Sequence, residues 1–322
     1  MIGGCACWHK TLNLFFIKVP CMQIAFLVLP DCLIVILGWI LYNKLHFSKE
    51  FFSGLEKLVY FILFPALLVR SIASTPMSLA TTGNFLLATT ALAMIASLCV
   101  WLAKPILNPR PIALASVGQC AYRFNTYIGL SLAPSLAGQE GLASMAVIVG
   151  FAIPFVNLLA VKSLASHQGS NLFMEILKNP LVLATFAGLL LSFSGSSLPT
   201  ILDTTLLKLS HSSIPLGLLC VGASLSLQGG SRDGRLVGWI LAIRLGLMPV
   251  FAMIIAMTLG FSFIDTQMFV LFAALPTASA AYILAIRMGG DGRLVAFTIS
   301  AGTILSVLTI PFWVYVTQQL FT

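Results

Sequence analysis

The sequence predicts an all-α integral membrane protein, with ten transmembrane helices in two inverted five-helix repeats whose broken helices 4 and 9 cross. Three observations lead there. Of 322 residues 59% are apolar and 8% charged, at a mean hydropathy of +1.04, more apolar surface than one water-soluble core could enclose. Apolar runs of spanning length recur along the whole chain. Residues of the first half also reappear in the second at a constant offset.

The spanning runs fall near 22–42, 55–74, 84–106, 111–137, 141–163, 179–194, 200–227, 237–259, 267–288 and 294–317. The run at 179–194 is short, and its amphipathic lead-in NLFMEILKN suits either an extension of the helix or a place in the interface. The chain thus divides into an N-terminal extension at 1–21, a first repeat at 22–163, a short cytoplasmic linker at 164–178 and a second repeat at 179–322. The extension fits neither a signal peptide nor the first helix, and Met22 is expected to be the true start.

The net charge of +8 is spread over 17 Lys and Arg that stand singly between apolar runs, so no nucleic-acid partner is expected. Instead these residues mark alternate loops. Lys44 and Lys49, Lys104 and Arg110, Lys162 and Lys178, Arg232 and Arg235, and Arg287 and Arg293 share one side, while the loops near 75–83, 138–140, 195–199 and 260–266 carry none. By the positive-inside rule both ends of the bundle face outward from a cytoplasmic (inner) membrane; Lys10 and Lys18 in the extension run against this pattern.

Pro30 and Pro180, Gly38 and Gly188, and Pro65 and Pro215 are each 150 residues apart. An odd number of spans between repeats requires the halves to insert with opposite topology, the arrangement of alternating-access carriers that bind solute at the midplane where discontinuous helices meet. Helix 4 is interrupted by Arg123, Asn125 and Thr126 in QCAYRFNTYIGL, roughly 18 Å from its cytoplasmic start at Pro111. In helix 9, Pro276 removes a backbone donor and disfavours helix at Leu275, and Thr277 and Ser279 are suited to cap the helix that restarts. Exposed N–H groups at two such restarts, with the charge of Arg123, make an anion site. Asn125 can donate to a carboxylate or cap its half-helix.

These same stretches, RFNTYIGL, LPTASAAYILAIRMGGD and, in helix 2, LVYFILFPALL, resemble the auxin efflux carrier family from about Met22 to the C-terminus. The resemblance implies ten helices in two inverted halves with crossing broken helices. It places that family's crossover asparagine on Asn125 and its second-crossing proline on Pro276. Bacterial members are linked to malate and malonate transport, and plant members export auxin. Phe124 and Thr126 flank Asn125 where the plant pattern has an adjacent proline, which argues against auxin, and the long hydrophilic loop of many plant members is missing.

The expectation is therefore a permease or efflux carrier for a small organic anion, with Arg123, Asn125, Thr126, Pro276, Thr277 and Ser279 at the substrate site. Two alternatives stay open: a sodium-coupled organic anion symporter of the bile-acid symporter type, and a membrane sensor that binds without transporting. Asp31, nearly halfway along the first helix, is the candidate for proton coupling, against the plainer reading of a paired carboxylate. Arg70 and Arg244 are expected to snorkel to the interfaces, and Lys208 and His211 share one face of helix 7 near its outer end. The seven cysteines show no metal-like spacing with histidine and there is no Ser-His-Asp arrangement, so no cofactor, metal or enzymatic activity is expected. The partners are the organic anion and the bilayer, with a homodimer left open.

Overall fold

The computed structural model describes residues 21–75, 78–164, 179–195, 198–225 and 233–321. The expectations for the extension before Cys21, including Lys10, Lys18 and the start at Met22, and for the linker with its amphipathic lead-in at 165–178, fall outside or at the edge of the described residues. So does Arg232.

Among the described residues all regular structure is helical, with no strand. The solvent is the reason, because a segment in hydrocarbon must satisfy its backbone groups internally. The elements are α1 (Cys21–Asn43), α2 (Lys49–Leu58), a π turn (Val59–Leu63), α3 (Phe64–Ala73), α4 (Leu79–Leu107), α5 (Pro111–Gly118), a 3-10 turn (Gln119–Ala121) and α6 (Thr126–Leu164). They continue as α7 (Pro180–Ser194), α8 (Thr200–Ala223), α9 (Gly234–Ala242), a second π turn (Ile243–Leu247), α10 (Met248–Leu259), α11 (Phe263–Ala274), α12 (Ala280–Arg287) and α13 (Gly292–Phe321). Among the described residues six stretches are long and apolar enough to cross a membrane: Lys49–Ala73, Leu79–Leu107, Pro111–Leu164, Thr200–Ala223, Gly234–Leu259 and Gly292–Phe321. Shorter apolar helices occupy Leu29–Asn43, Pro180–Ser194 and Phe263–Ala274.

Local chemistry sets the helix ends. Ser48, Ser78 and Ser262 accept from the N–H of Phe51, Thr81 and Asp265 at 3.1, 3.0 and 3.1 Å, and Asn179 accepts from Leu181 at 3.0 Å with Pro180 in the first helical position. Inside α6 the backbone leaves helical geometry at Ala137 and Gly138, where φ is +59°, a value glycine reaches without strain. This bend falls where the sequence separates its fourth and fifth apolar runs.

Small residues let helices approach closely, as they do in lipid where hydrophobic burial does not drive association. A Cβ on Gly38 of α1 would lie 2.2 Å from the carbonyl oxygen of Leu219 in α8, and one on Gly222 of α8 would lie 1.9 Å from that of Val35 in α1. A Cβ on Gly188 of α7 would lie 2.8 Å from Ile72 Cβ and 3.3 Å from the Val69 carbonyl oxygen in α3. Gly38 and Gly188 are 150 residues apart, and so are Val69 and Leu219. Thus α1 meets α8 through the same sequence positions by which α7 meets α3.

Ion pairs tie distant elements together. Arg70 Nε lies 2.8 Å from Asp203 Oδ1, joining the end of α3 to the first turn of α8. Arg110, just before α5, pairs with Asp233 before α9 and lies 3.4 Å from Asp291 before α13. Two expectations are corrected. Arg70 is held in an ion pair instead of snorkelling free, and Arg244 does not reach an interface: it is 2% exposed. Lys208 and His211 are exposed.

Candidate functional site

α5 tightens into the 3-10 turn at Gln119–Ala121, unwinds, and restarts as α6 at Thr126. α11 stops at Ala274 because Leu275 is extended (φ −61°, ψ 144°), the conformation that a following proline imposes, and α12 begins at Ala280. The two unwound stretches touch. Asn125 N–H donates to the Pro276 carbonyl at 2.8 Å, Thr277 Oγ1 donates to the Cys120 carbonyl at 2.7 Å, and Gln119 Nε2 donates to the Ala281 carbonyl at 3.1 Å. Irregular backbone within a membrane-spanning region is tolerated only where protein or a water-filled cavity satisfies it, and these three bonds supply part of that satisfaction. Phe124 and Phe272 pack edge to face beside them, with ring centroids 4.5 Å apart.

A cavity of about 210 Å³ opens against this junction. Arg123, Asn125, Thr126 and Tyr127 line it from the first break and Ala278, Ser279 and Ala280 from the second. Glu56 of α2, Tyr60 of the first π turn, Phe64 of α3 and Asn157 of α6 complete its polar and aromatic wall. Arg123, 9% exposed, donates through Nη2 to Asn157 Oδ1, while its Nη1 is buried with no partner in the protein. Asn125 caps its half-helix with its oxygen and leaves its amide donor unused. Its Oδ1 accepts from the N–H of Tyr127 and Ile128 at 3.1 and 3.3 Å, capping α6, and its Nδ2 is left buried without a partner. Buried donors are ordinarily paired, so two orphans on residues of one cavity define a place for an acceptor. The N-terminal ends of α6 and α12 adjoin the same space, and their dipoles favour negative charge there.

Of the residues expected at the site, Arg123, Asn125, Thr126 and Ser279 line the cavity. Pro276 and Thr277 hold the two breaks together instead. The expected caps on the second restart are corrected: Thr277 donates its hydroxyl to Cys120, and Ser279 makes no cap bond but lies 3.2 Å from Ser224 Oγ. The geometry at Pro276 turns the two side chains toward the neighbouring segments before the helix restarts. Asp31 is outside the cavity lining, near Ser131 of α6.

Two residues escape the sequence reading, and a third, Arg244, has a different role from the one expected. Glu56 and Asn157 line the cavity. Arg244 donates through Nε to the Leu275 carbonyl at 2.6 Å and through Nη2 to the Phe272 carbonyl at 2.9 Å, so a guanidinium fills the C-terminal end of α11. A polar residue in an otherwise apolar run is the signal that marks Asn157 and Arg244.

Among the described residues an all-helical fold with several spanning stretches is that of a multi-pass membrane protein, and the proteins it is similar to are transporters. A family model described as "Membrane transport protein" matches residues 167–314. A Rhizobium meliloti (strain 1021) protein named "Putative malonate transporter" is 25% identical over 310 residues, covering 92% of this chain and 97% of that one. A protein of Methanothermobacter thermautotrophicus (strain Delta H) named "Uncharacterized transporter" is 30% identical over 193 residues, covering 58% of this chain and 62% of that one. These matches make the chain similar to membrane transport proteins, in agreement with the resemblance to the auxin efflux carrier family.

Proposed function

We propose that this protein is a secondary carrier which moves a small organic anion, a carboxylate, across the cytoplasmic (inner) membrane by alternating access. The observation that carries the reading is the pair of buried, unpartnered donors, Arg123 Nη1 and Asn125 Nδ2, on residues that line one cavity at the meeting point of two helix breaks. A carboxylate has the acceptors both donors lack, and the adjoining helix N-termini favour its charge. The name of the Rhizobium meliloti relative adds support for a carboxylate and makes malonate the first solute to try.

In this reading ten spans form two inverted repeats, 22–163 and 179–322, joined by a cytoplasmic linker, with both ends of the bundle outside. The pairing of α1 with α8 and of α7 with α3 at matching positions supports it, since a two-fold related pair of repeats makes each such contact twice. Arg123, Asn125, Thr126 and Ser279 contact the solute, and Pro276 and Thr277 hold the junction. Transport would be tested in proteoliposomes preloaded with malonate, malate, pyruvate or acetate. Counterflow of at least one of these, lost in Arg123→Ala, is the expected result. Binding without counterflow would make the protein a sensor, and neither binding nor flux for any of the panel would sink the reading.

A further inference from the structure

The cavity holds two opposite charges that do not pair with each other. Glu56, half-buried in α2, lines the same 210 Å³ space as Arg123, yet no ion pair joins Glu56 to any cation among the described residues. The guanidinium reaches Asn157 instead. The other titratable groups that face Glu56 are Tyr60 of the first π turn, Tyr127 of α6 and Cys220 of α8, the last two within its electrostatic reach. None of these carries a second positive charge into the cavity.

Charge balance then decides what can move. An alternating-access step carries the cavity's contents through low-dielectric surroundings, where net charge is costly. Empty, the cavity holds one cation and one carboxylate and is neutral. With a monoanion on Arg123 and Glu56 ionised it holds one uncompensated negative charge. It is neutral again only if a proton joins Glu56.

We infer that Glu56 is the proton-carrying group of this carrier, so that each organic monoanion crosses together with one proton. The inference rests on the carrier reading above and assigns it a coupling ion and a residue. The step balances simply. A proton from water on the loading side bonds to a Glu56 carboxylate oxygen as the anion docks on Arg123 and Asn125, and both leave to water on the far side. The empty carrier returns with Glu56 ionised opposite Arg123. A dianion would have to enter singly protonated.

The test is calorimetric titration of the detergent-purified protein with pyruvate and with malonate, in two buffers of different ionisation enthalpy between pH 7 and 8. The difference in heats counts protons taken up per anion. Wild type is expected to take up about one proton per pyruvate, with affinity weakening roughly tenfold per pH unit where free Glu56 is ionised. Glu56→Gln, a neutral isostere, is expected to bind pyruvate with pH-independent affinity and no proton uptake. Proton uptake that persists in Glu56→Gln, or pyruvate binding by wild type without proton uptake, would overturn the assignment and leave the carrier reading intact. The second result needs only wild-type protein, so it does not depend on how the variant folds. If neither anion binds wild type at any pH, the carrier reading fails first and this inference falls with it.

Discussion

Arg244 and Leu275 are joined across the membrane domain by a 2.6 Å hydrogen bond from Nε to the backbone carbonyl, and Nη2 of the same guanidinium takes the Phe272 carbonyl at 2.9 Å. Breaking α11 before Pro276 frees carbonyls that water would satisfy in a soluble protein. Here a cation 31 residues upstream of Leu275 does so. The break, the proline and the arginine therefore form one device: the proline opens the helix and Arg244 makes the opening tolerable.

Arg244→Met should orphan the buried Leu275 carbonyl, leave the Phe272 carbonyl with only the long 3.4 Å bond from Leu275 N–H, and cost about 2–3 kcal/mol, seen as a Tm lowered by several degrees in detergent. Arg244→Lys should recover little of it, because a point-like ammonium cannot span both carbonyls as the planar fork does. An unchanged Tm in Arg244→Met would show that water reaches this end of α11.

The close approach of α1 to α8 predicts a contrast between two glycines. Gly222→Ala puts a methyl group 1.9 Å from the Val35 carbonyl oxygen and 2.8 Å from Trp39 N, both backbone atoms, so the helices must part, at a cost of about 2 kcal/mol. Gly54→Ala, in an exposed helical position with nothing within 4 Å, should stabilise by about 0.5–1 kcal/mol through helix propensity. Tm values moving in opposite directions are the expected outcome, and a common direction would argue against close packing at Gly222.

How much of this is legible in the sequence depends on the competition each residue faces. The break at Asn125 can be read because Arg123, Asn125 and Thr126 together interrupt a spanning run, whereas Pro276 is legible only with Thr277 and Ser279 beside it, since Pro30, Pro134, Pro154, Pro215 and Pro311 all lie inside helices. The contact of the two breaks is implied by the 150-residue offset. Glu56 is hidden for the opposite reason. It sits beside Lys57, seven residues into a segment whose first turn carries Lys49 and Glu50, and so resembles a solvated helix start. Arg244 misleads because a lone arginine in a spanning run suits snorkelling as well as burial, and only the unpaired carbonyls at the end of α11 decide between them. Thr277 and Ser279 have the right type for caps, but the bonds they make depend on Cys120 and Ser224, which no local pattern brings near.

The pair Arg70 and Asp203 links α3 to α8, with side chains 22% and 37% exposed. Solvent screening limits its worth, and a double-mutant cycle of Arg70→Gln with Asp203→Asn should give a coupling below about 1 kcal/mol in Tm-derived stability. Exchanging the charges, Arg70→Asp with Asp203→Arg, should restore most of what either reversal alone removes. If the exchange behaves like the sum of the single reversals, the two side chains do not meet in the protein in solution.

Asn157 offers the sharpest separation of binding from folding. Its Oδ1 accepts from Arg123 Nη2 and so fixes the guanidinium without neutralising it, leaving a full positive charge and the unpartnered Nη1 for a ligand. Asn157→Asp keeps the size and the acceptor but adds a carboxylate that competes for the same cation. The protein should fold with an unchanged or higher Tm, since a hydrogen bond becomes a charge-assisted one. Affinity for a carboxylate ligand should fall at least tenfold, about 1.4 kcal/mol, because the docking anion meets a compensated charge and a new repulsion. Thermal shift with and without pyruvate or malonate reads both quantities in one experiment. Retained ligand stabilisation in Asn157→Asp would mean that the anion does not dock on Arg123, whatever else the cavity holds.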